Sequence, residues 1–320
     1  MTLLAKFNLP PALAKWQVEF MRSYQLVAGD LVMSLMLDMA EHRGGLVRQG
    51  AVVEMLELVG ISAGTLRSAI SRLNSEGRLR SIATGRRADM LINTDFGLCG
   101  TDSIHRVYQL PQNGWTSQWV FAFLERGSLA GDRYFKLRDG LIYDGYFPLA
   151  DNILTRPELE PCTSCSIEAL VADTSICQHV RFVVGSAVDE QQTPVLSWIT
   201  GSEQFQALEA RYSRYNQIFS RLEDEISSGI ALQASHAFVL RLLMIHQYRL
   251  LVRDTPEFPT EILNYFEPLQ DARVITTRIY KMLLDRSEEY LSAVLETASG
   301  QKTRLDVGFY QRFGGLPFPE

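Results

Sequence analysis

The sequence predicts an α+β multidomain protein with an N-terminal winged helix-turn-helix, a central ferredoxin-like α+β domain and a helical C-terminal domain. Three patterns predict this order: amphipathic helices before an alternating hairpin, then strands interleaved with helices, then long stretches with apolar residues at helical spacing. At 320 residues the chain is too long for one typical domain. The expected divisions are an N-terminal arm (1–27), the winged helix-turn-helix (28–97), a linker (98–114), the central domain (115–198) and the helical domain with its tail (199–320).

Spacing and turn residues predict the helices of the first domain. Apolar residues at helical intervals predict a helix over 28–41, and "RQGAVVEMLELVG" predicts a second helix that ends at Gly60. Ser62 is a natural N-cap for a third helix, which should end at Glu76-Gly77. Its buried stripe is expected to be Leu66, Ala69, Ile70 and Leu73. Two helices joined by a tight Gly-Ile-Ser turn are typical of a helix-turn-helix, whose second helix can enter a major groove.

The next stretch is typical of a hairpin. The segments "RLRSIA" and "ADMLIN" can pair as strands across "TGRR", where Gly85 supplies the positive φ that such a turn needs. Added to the preceding helices, this hairpin predicts a winged helix-turn-helix with Arg86 and Arg87 at the wing tip.

Positive charge is concentrated on this part of an acidic chain. The formal net charge of −6 argues against a general nucleic-acid coat but not against a local DNA-binding face. Residues 62–92 hold six arginines and two acidic residues, so the segment carries +4 and the remainder about −10. DNA contacts are predicted for Ser62, Thr65, Arg67, Ser68, Arg72, Arg86 and Arg87. The alternative is a small helical subdomain with a solvated basic face, because helix-turn-helix spacing is common in helical proteins.

The middle of the chain alternates between strand and helix patterns. The segments "WTSQWVFAFLE" and "HVRFVVGSAV" predict buried strands. Between them we expect a helix that ends near Gly145, a single strand to Ile153 and a second helix over "SIEALVADTSI". Three further helices are predicted after Ser202, in "EQFQALEARYSRYNQIFSRLEDEI", "AFVLRLLMIHQYRLLVRD" and "ARVITTRIYKMLLDRSEEYLSAVLE". The Gly- and Pro-rich tail after them is either packed or loose.

The cysteines raise the possibility of a zinc site. Cys162, Cys165, Cys177 and His179 have suitable ligand types and count. A helix of roughly 11 residues between the two pairs would separate them by about 15 Å, which is too far for a tetrahedral site. We therefore expect ordinary cysteines and no metal, in a reducing cytoplasm. No run of about 18 apolar residues predicts a membrane span.

No catalytic residues are predicted. The chain has no P-loop, no dinucleotide fingerprint after a strand, no HExxH and no nucleophile elbow. The alternative function from another class is a metal-dependent nucleic-acid-processing enzyme that uses carboxylates of the central domain. The available carboxylates are Asp132, Asp139, Asp144 and Asp151, scattered over helix and loop. Analogy of fold does not by itself establish such a function.

Four blocks of sequence are distinctive: "SRLNSEGRL" followed by "GRRADMLI", then "GDRYFKLRDGLIYDGYFPL", "LRLLMIHQYRLLVRDTPEFPTEIL" and "DARVITTRIYKMLLDRSEEYL". In these blocks and their order, over about residues 28–295, the chain resembles the PaaX-like family of regulators of phenylacetic acid degradation. It departs from the family at Met90 in the wing and at the threonine of "DTPEFP". The resemblance implies a cytoplasmic, homodimeric repressor of an aromatic-acid catabolic operon. Such a repressor binds double-stranded operator DNA and is released by an aryl-acyl-CoA such as phenylacetyl-CoA.

The effector is expected to bind the helix that contains "LRLLMIHQYRLLVRD". Its polar and aromatic residues could recognise CoA phosphates and an aryl ring: Arg241, His246, Tyr248, Arg249 and Arg253. The alternative is that Arg249 and Arg253 pair with Asp254 or Glu257 at the end of the helix. The aromatic stripe over 203–226 is either part of a dimer interface or core within one chain.

Overall fold

A computed structural model describes residues 9–93, 106–109, 114–125, 131–143, 145–160, 179–186, 194–256, 258–264 and 266–317. The chain divides into two units. The first falls within Met1–Phe96, Arg214–Arg249 and Asp271–Glu320. The second falls within Gly97–Ser213 and Leu250–Gln270.

The N-terminal part of the first unit is mixed helix and strand. Its elements are α1 (Ala14–Ser23), α2 (Ala28–Leu35), β1 (Val47–Arg48), α3 (Gln49–Glu57), α4 (Ala63–Ser75), β2 (Leu79–Thr84) and β3 (Arg87–Ile92). Helix α2 continues as a π-helical turn over Met36–Ala40 and a 3-10 turn over Glu41–Arg43. The strands form an antiparallel sheet in the order β1-β3-β2. The three predicted helices and the hairpin of this region are confirmed.

Helix α1 lies within the N-terminal arm. Trp16 and Phe20 on one face of the helix are buried. The indole Nε1 of Trp16 donates to the backbone oxygen of Ile218 at 3.1 Å, and the ring of Phe20 meets Phe219 edge-on at 6.2 Å between centroids. The arm therefore contributes to the core of the first unit.

The second unit contains a four-stranded antiparallel sheet. Its elements are β4 (Gly114–Leu124), α5 (Gly131–Tyr143), β5 (Phe147–Ala150), β6 (Ile153–Glu160), β7 (Val180–Ser186) and α6 (Pro194–Gly201). The strand order is β5-β6-β4-β7. Tyr134 and Leu141 of α5 pack in one apolar cluster with Val120, Ala122 and Leu124 of β4.

The prediction of a single strand to Ile153 is wrong, because the chain forms two strands there. Strands β5 and β6 pair around a turn at residues 151–152, and β6 continues to Glu160. The segment "RPELE" lacks the apolar alternation of a strand, and its Pro157 has no N–H to give to a ladder. In the sheet Pro157 lies opposite Trp119, next to the register shift between Trp115 and Trp119. An irregular point of the ladder is where a proline is tolerated.

Three long helices pass through both units: α7 (Glu203–Ser227), α8 (Ala234–Asp254) and α10 (Glu267–Val294), with the short α9 (Thr260–Leu263) before α10. The predicted inward residues of α7 are all buried, namely Phe205, Leu208, Tyr212, Tyr215, Ile218, Phe219 and Leu222. The aromatic stripe is thus core within one chain. Among the described helices, none combines the length and the apolar character that crossing a bilayer requires.

A buried ionic network holds the first unit together around Asp38, which lies in the π-helical turn after α2. The guanidinium of Arg241 in α8 donates to Asp38 Oδ2 at 3.1 Å, to Glu288 Oε1 at 2.7 Å and to the phenol oxygen of Tyr280 at 2.6 Å. Arg312 donates from Nη1 to the backbone oxygen and to Oδ1 of Asp38, both at 2.8 Å. Asp38 and Arg241 have no exposed side-chain surface. This network joins four separate segments of the chain.

The acidic partners in this network keep Arg241 protonated. Burial by itself lowers the pKa of Arg241, but Asp38, Tyr280 and Glu288 raise it, and the net pKa lies above its ordinary value. Burial also raises the pKa of Tyr280, which therefore remains a neutral phenol and donates to Asp38 Oδ1 at 3.2 Å. The pairing satisfies charges that would otherwise be very costly to bury.

The C-terminal tail is packed. A 3-10 segment over Val307–Gly314 buries Phe309, Arg312 and Phe313. The ring of Phe313 lies 5.0 Å from that of Tyr280. The carboxylate of Asp306 accepts from His42 Nδ1 at 2.9 Å, and the backbone N–H of Asp306 donates to the backbone oxygen of His42 at 2.9 Å. The tail is therefore part of the first unit and supplies one of the arginines of its network.

The network predicts a large stability loss on removing Arg241. Arg241→Met should lower the free energy of unfolding by about 3–5 kcal/mol, because it leaves buried carboxylates short of a guanidinium. Arg286 forms an exposed pair with Glu289 at 3.1 Å, so Arg286→Met is the matched control and should stay within about 1 kcal/mol of wild type. Urea unfolding followed by circular dichroism measures both. Equal stability of the two variants would contradict the structural role of the network.

Candidate nucleic-acid interface

The turn between α3 and α4 is set by a glycine. Gly60 has a φ of 76°, a left-handed conformation that residues with a side chain adopt only under strain. Its N–H donates to the oxygen of Glu57 at 2.9 Å, and Val59 beside it is fully buried. The chain therefore reverses tightly after α3 and begins α4 at Ala63, three residues after Gly60.

Ser62 caps helix α4, as predicted. Its hydroxyl oxygen accepts from the backbone N–H of Thr65 at 3.3 Å and lies 2.9 Å from the hydroxyl of Thr65. The cap satisfies one of the backbone donors that a helix leaves free at its start. Both side chains remain exposed at the N-terminal end of α4.

Helix α4 has the predicted division into a buried and an exposed face. Leu66, Ala69, Ile70 and Leu73 are buried against neighbouring elements that include α2 and α3. The exposed face consists of Ser62, Thr65, Arg67, Ser68, Ser71 and Arg72. All five predicted DNA contacts of this helix therefore lie together on one solvent-facing surface.

The end of α4 fixes the base of the hairpin. Gly77 has a φ of 74° and donates to the oxygen of Asn74 at 3.0 Å, while Arg78 donates to the oxygen of Leu73 at 2.9 Å. These two bonds form a Schellman motif. Asn93, just after the second strand, donates from its backbone to Arg78 at 3.0 Å and from its amide to Gly77 at 2.6 Å. Both ends of the hairpin are thereby anchored to the C-terminus of α4.

The hairpin presents its tip and its first strand to solvent. Thr84 pairs with Arg87, so Gly85 and Arg86 form a two-residue loop, and Gly85 has the predicted positive φ, at 62°. Arg86 and Arg87 are exposed. All of β2 except Leu79 is exposed, including Ile82, of which 49% is exposed. The tip of the hairpin and most of β2 are therefore open to solvent.

An open groove runs between the end of α4 and β2. Arg80, Ser81 and Ile82 line it from the hairpin, and Asn74 lines it from the helix. The amide of Asn74 donates to the hydroxyl of Ser81 at 3.0 Å across this groove. Arg80 is a candidate site residue that the sequence analysis did not single out, although it was counted in the basic segment.

Arg72 differs from the other arginines of the face. Its Nε lies 3.6 Å from Glu76 Oε1, and a Cβ added at Gly29 of α2 would lie 3.1 Å from its Nη2. Its guanidinium therefore lies beside the start of α2. Arg67 is also exposed.

The sheet of this region is bonded to the C-terminal part of the first unit. Asp89 of β3 is 7% exposed and accepts from the backbone N–H of Ala298 at 2.6 Å. Arg48 of β1 donates its backbone N–H to the oxygen of Glu296 at 3.0 Å, and its Nε lies 3.1 Å from the carboxylate of Glu296. In the sequence, Asp89 is recognisable only as one acidic residue of the basic segment. Its structural role could not be predicted, because its partner Ala298 lies too far along the chain for local patterns to reveal it.

The structure divides the five predicted effector residues among three environments. Arg241 is enclosed in the Asp38 network. His246 and Arg249 both meet the hydroxyl of Ser34: His246 Nδ1 lies 2.8 Å from it, and Arg249 Nε donates to it at 2.9 Å. Tyr248 packs on Tyr215, with 5.8 Å between the ring centroids.

Arg253 lies in the second unit. Its Nε donates to Asp254 Oδ1 at 2.9 Å, as the ion-pair alternative predicted for this residue. Arg249 instead bonds to Ser34 and, through Nη2, to the backbone oxygen of Asp30 at 3.2 Å. Effector binding by these residues stays a prediction.

Only some of the candidate metal and catalytic residues lie within the described part of the chain. Cys162, Cys165 and Cys177 lie outside the described residues, and His179 directly precedes β7. The side chains of Asp132 and Asp144 are also outside them, while the backbone oxygen of Asp151 accepts from the phenol of Tyr134 at 2.5 Å. Where the chain is described, no group of three or more His, Cys, Asp or Glu residues is placed to hold a metal ion.

Comparisons with known proteins match both ends of the chain. A family described as "PaaX-like protein" matches residues 27–90, and one described as "PaaX-like protein C-terminal domain" matches residues 204–293. Over 293 residues the chain is 29% identical to the transcriptional repressor PaaX of Escherichia coli strain K12, covering 89% of this chain and 90% of that protein. An uncharacterized protein from Mycobacterium tuberculosis, of solved structure, aligns with a TM-score of 0.48 at 17% identity, over 83% of this chain and 99% of that one.

The capping geometry predicts different effects for two serines of the same helix. Ser62→Ala should lower the free energy of unfolding by about 1 kcal/mol, because the N–H of Thr65 loses its acceptor. Ser68→Ala, in the exposed middle of α4, should change it by no more than about 0.5 kcal/mol. Urea unfolding without DNA measures both. A Ser68→Ala loss as large as that of Ser62→Ala would mean that the cap does not determine the stability of α4.

Proposed function

We propose that the chain is a DNA-binding transcriptional repressor of the PaaX-like family, whose models match residues 27–90 and 204–293. The observation that carries this proposal is the surface formed by α4 and the hairpin. On an acidic chain, α4 and the hairpin after it expose small hydroxylated side chains and arginines to solvent. The E. coli relative, which aligns over most of both chains, is itself named a transcriptional repressor.

We assign the first region to the winged helix-turn-helix class. Its elements follow in the order α2, β1, α3, α4, β2, β3, and β1 closes the sheet beside β3. The second helix of a helix-turn-helix enters the major groove, which gives α4 the role of recognition helix. By its strand order β5-β6-β4-β7, we assign the sheet of the second unit to the ferredoxin-like class.

The two parts of the surface suit two kinds of contact. Thr65 and Ser68 are small enough to let the backbone of α4 approach base edges in a major groove. Arg86 at the wing tip can hold phosphates or enter the adjacent minor groove, and the exposed Ile82 can pack there. Because the hairpin is anchored to the end of α4, the distance between the two contacts is largely set before DNA binds.

One recognition helix reads few base pairs, so we propose that a homodimer binds a two-fold symmetric operator. By family resemblance, the operator controls genes of aromatic-acid catabolism of the phenylacetate type. The aromatic stripe of α7 is buried within the chain and does not form the dimer interface.

The wing predicts a change in salt dependence. Replacing Arg86 and Arg87 with alanine should weaken binding to every duplex and reduce the slope of log affinity against log salt by about 1–2, because fewer counterions are released. Fluorescence anisotropy with duplex selected from a random pool, at several salt concentrations, measures this slope.

The matched control replaces two exposed arginines of α10, Arg278 and Arg286, with alanine. They lie outside α4 and the hairpin and pair with Glu223 and Glu289. This control should leave the slope unchanged, so that a fall in both variants would indicate nonspecific charge effects. An unchanged slope in the Arg86/Arg87 variant would remove the wing from the interface. The same titration gives the stoichiometry: two chains per duplex support the dimer, and one chain per duplex contradicts it.

We further propose that an aryl-acyl-CoA effector, such as phenylacetyl-CoA, releases the protein from DNA. This proposal rests on family resemblance and on physical need: such a thioester requires an apolar slot for its ring and cations for its phosphates. The predicted residues of α8 supply both kinds of group, although Arg241 is already enclosed by its partners. Arg249 and His246 converge on Ser34 of α2, which packs against α4, so α8 contacts the helix that supports the recognition helix.

Release can be tested on the preformed complex. Phenylacetyl-CoA should dissociate it, whereas phenylacetate and CoA alone should not, because only the thioester carries both the ring and the phosphates. Loss of anisotropy of labelled duplex on titration measures release. A complex that stays intact with millimolar phenylacetyl-CoA would contradict the proposed effector while leaving the DNA-binding proposal in place.

A further inference from the structure

The second unit contains a cavity of about 200 Å³ beside the C-terminal end of α8, which we call the arginine cavity. It is lined by the end of α5, by β5, by the first turns of α7 and by residues 253–256. All of these segments belong to one unit.

Most of the cavity wall is apolar. The apolar side chains that line it are Ile142, Tyr146, Phe147, Pro148, Ala207, Leu208 and Pro256. A closed apolar cavity of about 150 Å³ is large enough to hold benzene. The arginine cavity therefore has room for one ring-sized apolar group.

One side of the cavity is cationic. Arg211 donates from Nη2 to Asp254 Oδ2 at 2.8 Å, and Arg253 donates from Nε to Asp254 Oδ1 at 2.9 Å. A guanidinium has five N–H donors, and within the described ranges each of these arginines has Asp254 as its one polar partner. Two guanidiniums and one carboxylate leave a net charge of +1 with several N–H donors open to solvent.

The side of the cavity that carries the arginines is held in place. The hydroxyl of Thr255 donates to the backbone oxygen of Leu251 at 2.7 Å and lies 2.7 Å from the phenol oxygen of Tyr212. Arg106 donates to the backbone oxygens of Thr255 at 2.7 Å and Pro256 at 3.0 Å. These bonds satisfy carbonyls at the end of α8 and fix the chain next to Asp254, so the site is largely formed before any ligand arrives.

We propose that the arginine cavity binds an organic anion, with a ring-sized apolar group inside and a carboxylate or phosphate bound by Arg211 and Arg253. Arginine suits this role because its planar donors match both anions in a bidentate geometry. Asp254 holds the two guanidiniums next to each other through its two carboxylate oxygens and leaves them with excess positive charge. Both arginines are nearly half exposed, so a longer ligand can extend from the cavity into water.

An exposed ion pair alone would not support this inference. The pairs Arg278–Glu223 and Arg286–Glu289 are also exposed, but each has one cation for one anion, and neither arginine lines the arginine cavity. What distinguishes Arg211 and Arg253 is the shared carboxylate together with the apolar cavity beside it. Two kinds of ligand carry both an apolar group and an anion: a free aryl acid, and the aryl-acyl-CoA of the proposed function. Binding in the cavity does not depend on the proposed function, and only an effect of that binding on DNA release rests on it.

The test is direct binding to the full chain by isothermal titration calorimetry, with phenylacetate, CoA and phenylacetyl-CoA as probes. Two independent site variants are compared with wild type: Arg211→Gln with Arg253→Gln, which removes the cations, and Ala207→Trp, which fills the cavity from the exposed face of α7. Arg278→Gln with Arg286→Gln is the matched control. Circular dichroism melting shows which variants are folded.

At least one probe should bind wild type, and each folded site variant should weaken that binding by about tenfold or more, a clear loss of affinity. The control should bind as wild type. Binding of phenylacetate would show that the site recognises a carboxylate, and binding of CoA would show that it recognises phosphates. Binding of phenylacetyl-CoA alone would show that the site requires both the ring and the phosphates.

Unchanged binding in the site variants, or no binding of any probe at millimolar concentration, would overturn the inference. DNA binding without ligand is measured on the same variants. Site variants that no longer bind the ligand but still bind DNA would support the proposed cavity site. If the wild-type protein binds the probes but binds no duplex, the result contradicts the proposed repressor function and leaves the cavity proposal intact.

Discussion

The pairing of Asp38 with Arg241 is the interaction on which the first unit depends. Asp38 sits in a π-helical turn after α2, and the same carboxylate is held by Arg241 of α8, Tyr280 of α10 and Arg312 of the tail. A carboxylate buried without partners would be too costly to keep. The network therefore requires α2, α8, α10 and the tail to be in place together, and α2 in turn supports α4.

The proposed DNA-binding surface of α4 and the hairpin is thus held from two sides. Its helix rests on α2, which is tied into the network and bonded by Arg249 through Ser34. Its sheet is bonded to the chain after α10, through Asp89 with Ala298 and Arg48 with Glu296. A change at α8 or after α10 can therefore alter the position of α4 or of the hairpin, which is the kind of coupling that the proposed effector control requires.

Local features of the first domain could be predicted from sequence, and distant ones could not. Ser62, Gly77 and Gly85 predict the limits of α4 and the turn of the hairpin because their effects act within a few residues. The enclosure of Arg241 in the ionic network could not be predicted, because its partner Asp38 lies 203 residues away. Asp89 and Ala298 are 209 residues apart, and no local pattern links such positions. The strand β6 was missed because charges and a proline hide its period.

Hydrogen–deuterium exchange with and without operator duplex tests the central claim most directly. If α4 and the hairpin form the interface, DNA should slow exchange in peptides that cover residues 62–75 and 79–92, because bound DNA excludes water and suppresses local opening. Peptides of α7, whose apolar face is already buried, should change little. Protection confined to other segments, with the peptides of α4 and the hairpin exchanging as in the free protein, would contradict the account.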